Sequence, residues 1–175
     1  MAETACVRTS LGRIGLVATD EGIAHVVLGL SSAAAVEQVL QATVHALPEG
    51  QRAGARRVLE AAQTEIEEFV AGTRQEFTVP VDWVVGTAFQ RRVWRATLRI
   101  PYGRLRSYRW VADRVGGSQY ARAVGMALGA NPVPLIVPCH RVVAHDGSLG
   151  GFSCGLPVKR RLLALEGTLS QLRAR

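Results

Sequence analysis

The pattern of hydrophobic residues in the first half of the chain predicts a small β-sheet with a helix packed on it. Residues 12–18 and 22–28 are two apolar stretches separated by Thr19, Asp20 and Glu21, which is typical of a β-hairpin. In residues 52–71 apolar side chains recur at helical spacing, and Gly72 ends the pattern. Residues 75–81 alternate between apolar and polar side chains, which predicts a further strand.

The second half of the chain predicts short helices. Thr87 can cap a helix whose apolar residues share one face, and residues 101–103 end it. Ser107 and Ser118 can each cap a further short helix, with a glycine turn at residues 116–117 between the two. Two short helices joined by a glycine turn indicate a helix-turn-helix.

Two further segments complete the predicted organisation. The apolar run of residues 133–137 predicts a buried extended segment leading to Cys139, and the last helix begins after Pro157 and ends at Gly167. We therefore predict an N-terminal α/β domain over residues 1–82 and a connector over 83–87. A mostly α-helical C-terminal domain with the helix-turn-helix follows over 88–168, with a tail over 169–175.

Composition narrows the class of protein. The 175 residues, 48% of them hydrophobic, are sufficient to build folded cores. No apolar run reaches about 18 residues and no basic segment precedes an apolar one at the start, so we expect a soluble, cytoplasmic protein, or a nuclear one if the source is a eukaryote. Three widely spaced cysteines, Cys6, Cys139 and Cys154, argue against a disulfide framework and a four-cysteine zinc site.

Charge is distributed very unevenly along the chain. Residues 1–85 hold 6 Arg against 11 acidic residues, a net charge of −5, whereas residues 86–175 hold 14 Arg and 1 Lys against 3 acidic residues, a net charge of +12. Basic groups gain affinity for nucleic acid by releasing counterions from its phosphates. The second half is therefore predicted to bind a polyanion, with a solvated arginine-rich surface as the alternative.

The helix predicted after Ser118 carries unusually small side chains, namely Ala121, Ala123, Gly125, Ala127 and Gly129. An ordinary helix is about 10 Å across and the DNA minor groove is about 6 Å wide, so a thin helix is better suited to press against that groove. Close packing on another helix is the commoner use of small residues. Arg122 on the predicted exposed side favours the interpretation as a DNA contact.

Cys139 offers the clearest chemistry. A cysteine is a strong nucleophile only as the thiolate, and His140 and Arg141 can favour that form by positive charge or by a proton relay. Adjacent side chains rarely face each other, so we expect a water between the thiol and the imidazole. Glu166, in the last turn of the final helix, opposes the helix dipole and needs a partner, for which His140 is the natural candidate. The spacing leaves open a structural thiol, and a simple ion pair between Glu166 and an arginine.

Several motifs together resemble the O6-alkylguanine-DNA alkyltransferase family, also called methylated-DNA–protein-cysteine S-methyltransferases. They are Pro138-Cys139-His140-Arg141-Val142 preceded by Asn131-Pro132, Ser107-Tyr108, Arg122-Ala123-Val124-Gly125, and Leu162-Leu163-Ala164-Leu165-Glu166-Gly167. The likeness covers residues 87–167. Residues 1–82 resemble the variable N-terminal domain of the family only in size and pattern. The resemblance implies a ribonuclease H-like sheet with helices there, and a winged-helix-like C-terminal domain.

The resemblance also implies roles for individual residues. Cys139 would accept the alkyl group, His140 and Glu166 would complete the relay, and Asn131 would stabilise the turn that carries the cysteine. Tyr108 would help to rotate the target nucleotide and hydrogen-bond the base, and Arg122 would fill the vacated base stack. The implied DNA-contacting set is Tyr108, Arg109, Arg122 and Ser118. The implied base pocket is formed by Tyr108, Val142, Phe152, Ser153 and Leu156, with the carbonyls of Cys139 and Val142 accepting hydrogen bonds from guanine.

The family pattern is not matched everywhere. Phe152 stands where many relatives have Tyr, and Cys154 where Gly is common, which leaves the pocket width open. Cys6 has no evident partners for the structural zinc that some members bind, so no metal and no cofactor are expected. His25, His45 and His145 are predicted to be surface or structural residues.

The predicted activity is direct repair of O6-alkylguanine in duplex DNA, and possibly of O4-alkylthymine, by a monomer that needs no protein partner and no membrane. A helix-turn-helix regulator would instead bind selected sequences, usually as a dimer. Alkyltransferase-like proteins recognise lesions but lack the cysteine that is present here. A thiol hydrolase, the third alternative, would turn over small esters or peptides repeatedly.

Overall fold

A computed structural model describes residues 2–47 and 55–172 of the chain. The chain divides into two compact units, Met1–Val84 and Val85–Arg175, and each is described by itself. In the described residues, none of the helices is both long enough and apolar enough to span a membrane. The first unit contains a small antiparallel sheet with helices, and the second is mostly helical. The ribonuclease H-like and winged-helix-like descriptions are finer than this and stay predictions.

The sheet of the first unit has three antiparallel strands in the order β1 (Glu3–Thr9), β2 (Gly12–Ala18) and β3 (Ile23–Val27). The predicted hairpin of β2 and β3 is confirmed, with a register shift between Val17 and Ala18. Strand β1 was not predicted from the sequence. Val7 is the one residue of this strand that is buried. Strand β1 therefore lacks the alternation of apolar and polar side chains by which a half-buried strand is recognised in a sequence.

Two helices belong to this unit, α1 (Ala33–Ala46) and α2 (Arg56–Val70). The sequence predicts α2 and its end near Gly72, while the predicted start at residues 52–54 lies outside the described residues. The sequence pattern misses α1, which Ser32 caps by accepting a hydrogen bond from the Ala35 amide at 3.1 Å. Helix α1 packs so closely on β2 that a Cβ at Gly15 would lie 2.7 Å from the Val36 side chain.

The strand predicted over residues 75–81 is wrong. This segment is irregular, and only Val81 pairs with the sheet, through an isolated bridge to Ile23. The backbone amides of Thr78 and Val79 instead donate to the carboxylate of Glu65, at 2.8 and 3.2 Å. Because a side chain satisfies these amides, they need no neighbouring strand.

The second unit contains α3 (Ala88–Leu98), β4 (Arg106–Ser107), α4 (Tyr108–Val115), α5 (Ala121–Gly129), β5 (Val142–Val143) and α6 (Leu156–Leu165). Thr87 caps α3 as predicted, in a reciprocal capping box with Gln90. Strands β4 and β5 pair in parallel, and this short ladder holds the start of α4 beside the segment that follows Cys139. Trp94 of α3 is buried and donates to the Ala127 carbonyl of α5 at 2.8 Å, which ties the helices together.

Helices α4 and α5 are the two predicted helices of the helix-turn-helix. Ser107 caps α4 as expected, accepting from the Trp110 amide at 3.1 Å. The predicted cap at Ser118 is wrong, because Ser118 begins a one-turn 3-10 helix that ends at Tyr120. Helix α5 then starts at Ala121 without a side-chain cap, since this tight turn already leads the chain into the helix.

Residues 133–137 are buried, as predicted, but they are not extended. The Val137 amide donates to the Val133 carbonyl at 2.9 Å, and Leu135 has a φ of 80°. The Asn131 side chain closes this turn, accepting from the Val133 amide at 3.0 Å and donating to the Val137 carbonyl at 3.2 Å. Apolar composition predicted the burial correctly, but it carries no information about these local hydrogen bonds.

Candidate active site

Cys139 begins a one-turn 3-10 helix directly after the Asn131 turn, and it is 5% exposed. The Asn131 amide nitrogen lies 3.2 Å from its sulfur and can donate to it. Asn131 therefore does more than shape the turn, because the same amide group aims a donor at the thiol. A donor in this position favours the thiolate over the neutral thiol.

Burial dominates the electrostatics of this thiol. It raises the pKa of Cys139 to about 11, although the Asn131 hydrogen bond and the positive charge of Lys159 act in the opposite direction. At neutral pH the cysteine is therefore mainly a thiol. A nucleophilic reaction from this state needs a base that takes the proton as the sulfur reacts.

His140 and Glu166 form a buried pair, with His140 Nε2 2.7 Å from Glu166 Oε1. Glu166 is the C-cap of α6, and its carboxylate also accepts from Arg141 and from the Gly103 amide at 3.2 Å. The predicted need for a partner is confirmed, and the two partners that the sequence left as alternatives are both present. Arg141 also donates to the Ile100 carbonyl at 2.7 Å. Its guanidinium is therefore bound by both the Glu166 carboxylate and this carbonyl.

The protonation states of the pair follow from these contacts. Burial alone would raise the pKa of Glu166, but the hydrogen bonds and charges of His140 and Arg141 lower it to about 2. Burial lowers the pKa of His140, against the opposing effect of the Glu166 carboxylate. At neutral pH the pair is therefore a carboxylate beside a neutral imidazole, which is the form that can accept a proton.

The other ring nitrogen of His140, Nδ1, is buried and has no hydrogen-bond partner among the described residues. Because Nε2 donates to the carboxylate, Nδ1 carries the free lone pair. His140 thus presents a basic nitrogen whose strength is set by Glu166 on the opposite side of the ring. The predicted water between this ring and the thiol stays a prediction.

Cys139 opens into a cavity of about 100 Å³. The lining comprises two predicted pocket residues from the loop before α6, Phe152 and Ser153, together with Tyr108 and small or apolar positions, which are Gly125, Leu128, Gly129 and Gly151. The Tyr108 hydroxyl donates to the Gly151 carbonyl at 3.2 Å. Two other predicted pocket residues are absent from this lining: Val142 is fully buried in β5, and Leu156 is 43% exposed at the start of α6.

Gly150 allows the pocket loop to approach Tyr108. It has a φ of 67°, and a Cβ at this position would lie 2.9 Å from both Cε2 and the hydroxyl oxygen of Tyr108. Any larger residue would therefore push Tyr108 away and would also have to adopt a left-handed backbone. This one glycine fixes the distance between the loop and the tyrosine.

Lys159 is a buried residue of the site that the motif analysis missed. Its ammonium group donates to the carbonyls of Val142 and Leu149 at 2.6 Å each and to that of Gly151 at 3.1 Å. Burial lowers the pKa of Lys159 to about 8, against the opposing effect of Cys139. A signal was present in the sequence, because Lys159 is the only lysine in a chain rich in arginine. A compact ammonium can gather three carbonyls where a planar guanidinium could not.

The predicted DNA-contacting residues lie on α4, α5 and the turn between them. Arg122 is exposed on α5, as predicted. Tyr108, Arg109 and Ser118 line one open groove in common. Helix α5 is not uniformly thin, since Met126, one turn after Arg122, is 74% exposed. In the described residues, no group of three or more His, Cys, Asp or Glu side chains could hold a metal ion.

The second unit resembles a known protein family in sequence. Residues 88–168 match the family model for the 6-O-methylguanine DNA methyltransferase DNA binding domain. A methylated-DNA–protein-cysteine methyltransferase of Mycobacterium bovis is 50% identical over 105 residues, which are 60% of this chain and 63% of that protein. The match thus spans less than two thirds of that relative. The protein of the same name from Methanosarcina acetivorans is 43% identical over 107 residues, 61% of this chain and 68% of that protein.

A solved structure is similar over almost the whole chain. The crystal structure of Mycobacterium tuberculosis OGT in complex with DNA is 33% identical, has a TM-score of 0.75, and matches 98% of this chain and 95% of that one. The likeness therefore extends across both units and is not confined to the motifs around Cys139. On the strength of this match and of the Methanosarcina relative, the chain belongs to the methylated-DNA–protein-cysteine methyltransferase family.

Proposed function

We propose that this protein repairs duplex DNA by moving the alkyl group of O6-alkylguanine onto the sulfur of Cys139. The observation that carries the proposal is the buried Cys139 thiol at the wall of a cavity, followed in the chain by His140, which is paired with Glu166 at 2.7 Å. A nucleophile, a base and a residue that orients the base are the parts that activated-cysteine chemistry requires.

The transfer is a displacement at the alkyl carbon. The thiol proton passes to His140 Nδ1, directly or through a water, and the sulfur forms a bond to the carbon as the bond between that carbon and O6 breaks. Glu166 stabilises the imidazolium that results, because its carboxylate already accepts from Nε2. The Asn131 amide, at 3.2 Å from the sulfur, stabilises the charge on the reacting thiolate.

The departing guanine leaves with the electron pair of the broken bond and needs a proton. Tyr108 is the donor in the cavity, and its hydroxyl would exchange the Gly151 carbonyl for the base. Phe152 and Ser153 would wall the base, and Leu156 would support the loop from α6.

The reacting atom lies inside the duplex, so the nucleotide must rotate out of the stack before it reaches Cys139. Flipping costs a few kcal/mol, which insertion of Arg122 into the vacated position would offset. Helix α5 would lie at the minor groove, with Tyr108, Arg109 and Ser118 beside the backbone. The DNA complex of the Mycobacterium tuberculosis relative supports DNA as the partner.

A thioether has no built-in route to hydrolysis, so each molecule reacts once and needs no cofactor. We further infer that the protein acts as a monomer without a protein partner. The finer fold descriptions, ribonuclease H-like for the first unit and winged-helix-like for the second, belong to the same proposal. The support for these fold descriptions is the similarity of a solved structure over 98% of this chain.

The test is a titration of the full-length protein with excess duplex that carries a single O6-methylguanine. Lesion removal should stop at one lesion per protein molecule, and Cys139→Ala should remove none. Continued removal would indicate a turning-over enzyme such as a thiol hydrolase. Tight lesion binding without removal would instead identify a sensor whose cysteine is inert.

A further inference from the structure

The turn after α3, residues 100–103, contacts the last turn of α6, and none of its residues lines the Cys139 cavity. The Tyr102 hydroxyl donates to the Leu165 carbonyl at 3.0 Å. The half-buried Tyr102 ring also lies beside a guanidinium, with Arg141 Cζ 5.8 Å from the ring centre. Neither contact takes part in the transfer steps proposed above, so the purpose of this tyrosine has to be found in what it holds.

The Leu165 carbonyl belongs to the peptide unit that carries Glu166. Because a peptide unit is planar, fixing its carbonyl and its amide also fixes the Cα from which the next side chain leaves. The Glu166 amide donates to the Leu162 carbonyl at 3.0 Å within the helix, and Tyr102 holds the carbonyl at the other end of the same plane. A carbonyl in the last turn of a helix has no partner within that helix, so Tyr102 supplies a fixed partner in place of water.

Two groups compete for the Glu166 carboxylate. Its Oε1 atom lies 2.7 Å from His140 Nε2 and accepts from Arg141 Nη2 at 3.0 Å. Arg141 carries a permanent charge and attracts a carboxylate more strongly than a neutral imidazole does. The backbone position of Glu166, together with the bond from the Gly103 amide to Oε2, therefore determines whether Oε1 stays on the imidazole.

We propose that Tyr102 is a positioning residue for the alkyl transfer: its hydroxyl holds the peptide unit between Leu165 and Glu166 so that the carboxylate stays bonded to His140. This inference rests on the proposed function and adds the turn after α3 to the groups that set the strength of the base. Tyr102 contacts neither the sulfur nor the cavity, so it acts on the rate of transfer and not on binding of the lesion.

The experiment compares the full-length wild type with Tyr102→Phe, which removes the hydroxyl and keeps the ring beside Arg141. Single-turnover transfer is followed over a range of concentrations of O6-methylguanine duplex, under conditions where urea titration shows both proteins to be folded. The rate constant at saturating duplex should fall about 5- to 50-fold, less than the roughly 10²-fold that a 1 Å misplacement costs. The duplex concentration that gives half of this rate should stay unchanged.

A second measurement does not depend on activity. The proton on His140 Nε2 is protected from exchange with water by its bond to Glu166. Nitrogen-15 NMR of the labelled imidazole at neutral pH measures the rate of this exchange. Tyr102→Phe should speed the exchange, because the carboxylate leaves the ring more often. A tyrosine that only stabilised the fold would leave the exchange rate of the folded protein unchanged.

Thr168→Val is the matched control. The buried Thr168 hydroxyl donates to the Leu163 carbonyl at 3.2 Å, at the same helix end but outside the peptide unit that carries Glu166. Thr168→Val should leave both the rate constant of transfer and the rate of proton exchange at their wild-type values.

The inference is overturned if Tyr102→Phe keeps either the wild-type rate constant or the wild-type exchange rate. It is also overturned if Thr168→Val changes both quantities as much as Tyr102→Phe does, because any hydrogen bond at this helix end would then suffice. Failure of the proposed function appears differently, as a wild-type protein that removes no lesion in the titration above, whatever the exchange rates.

Discussion

Among the described residues, each unit of this protein buries one glutamate that accepts several hydrogen bonds, and the two glutamates differ in the groups that donate to them. Glu65 in the first unit accepts from the backbone amides of Thr78 and Val79 and lies 3.6 Å from the partly exposed Arg74. Glu166 in the second unit accepts from His140 and Arg141, both buried. Backbone amides keep their protons, whereas an imidazole can gain one. Glu65 therefore holds a segment in place, while Glu166 can respond to a proton that arrives on its partner.

The largest expected effect comes from exchanging each glutamate for glutamine. Glu166→Gln removes the charge that stabilises the His140 imidazolium and should slow alkyl transfer about 10²- to 10⁴-fold. It also leaves Arg141 without its anion, which should lower the free energy of unfolding by about 3–5 kcal/mol. Single-turnover transfer, measured under conditions where urea titration shows the variant to be folded, separates the two effects.

Glu65→Gln is the matched control for that variant. It should lower the free energy of unfolding by about 1–3 kcal/mol, because it weakens hydrogen bonds to buried amides. The rate of transfer per folded molecule should stay at the wild-type value. A slow but stable Glu65→Gln protein, or an unstable Glu166→Gln protein with normal transfer, would remove the distinction between the two glutamates.

A smaller effect is expected from Asn131, whose amide connects the turn to the sulfur. Asn131→Ala should slow transfer about 10- to 100-fold, the range for losing a hydrogen bond to a charged group. Thr19→Val is the comparison in the first unit, since Thr19 donates to Asp82 at 2.7 Å without any reactive group nearby. Thr19→Val should lower the free energy of unfolding and leave the rate of alkyl transfer unchanged. Equal transfer rates for both variants would show that the contact between Asn131 and the sulfur has no chemical role.

The buried Lys159 of the second unit should make the stability of the protein depend on pH, and the first unit has no lysine. The folded-state pKa of about 8 lies below the ordinary value of 10.5, so the unfolded chain binds more protons between these values. Lys159 therefore makes stability rise with pH, by at most about 1.4 kcal/mol per pH unit.

Urea denaturation of wild type and Lys159→Met at pH 7.5, 8.5 and 9.5 measures this contribution. The difference in unfolding free energy, wild type minus variant, should grow as the pH rises. The comparison is needed because Cys139, whose pKa burial raises to about 11, acts in the opposite direction at alkaline pH and is present in both proteins. A difference that is constant with pH would mean that the lysine is not desolvated.

The smallest effect concerns two glycines with left-handed backbones. Gly72→Ala in the first unit meets no atom within 4 Å and should cost only the backbone strain, about 1–2 kcal/mol. Gly150→Ala adds the contact with Tyr108 and should cost about 1 kcal/mol more, with slower transfer. Thermal or urea denaturation of both variants gives the comparison. Equal costs would mean that Tyr108 moves freely away from the loop.

The sequence predicted those parts of the fold that depend on periodicity and caps. The hairpin of β2 and β3, helix α2, and the starts of α3 and α4 at Thr87 and Ser107 all carry such signals. Strand β1 and helix α1 do not stand out in the pattern, and residues 75–81 alternate like a strand although Glu65 takes up their amides. Residues 133–137 were predicted to be extended, and this prediction was wrong because a hydrophobic run indicates burial but does not determine the backbone conformation.

The candidate site was predictable where chemistry depends on a residue and its neighbours along the chain. The motif around Cys139 is of this kind. The pairing of His140 with Glu166 was predictable for another reason, because a carboxylate at the end of a helix opposes the helix dipole and needs a partner. The link from Lys159 to three carbonyls depends on the path of the loop before α6, and the open groove lined by Tyr108, Arg109 and Ser118 depends on separate segments that meet in the fold. Such contacts arise from tertiary structure, so a single sequence without its fold does not reveal them.

The most direct test of the account is the intact mass of the protein after incubation with excess O6-methylguanine duplex, followed by peptide mapping. We predict a gain of one methylene mass per molecule, located on Cys139, absent in Cys139→Ala and retained in Cys154→Ala, which removes the half-buried thiol of the pocket loop. A gain located on Cys154, or no gain on a protein that binds the lesion, would contradict the assignment of Cys139 as the acceptor.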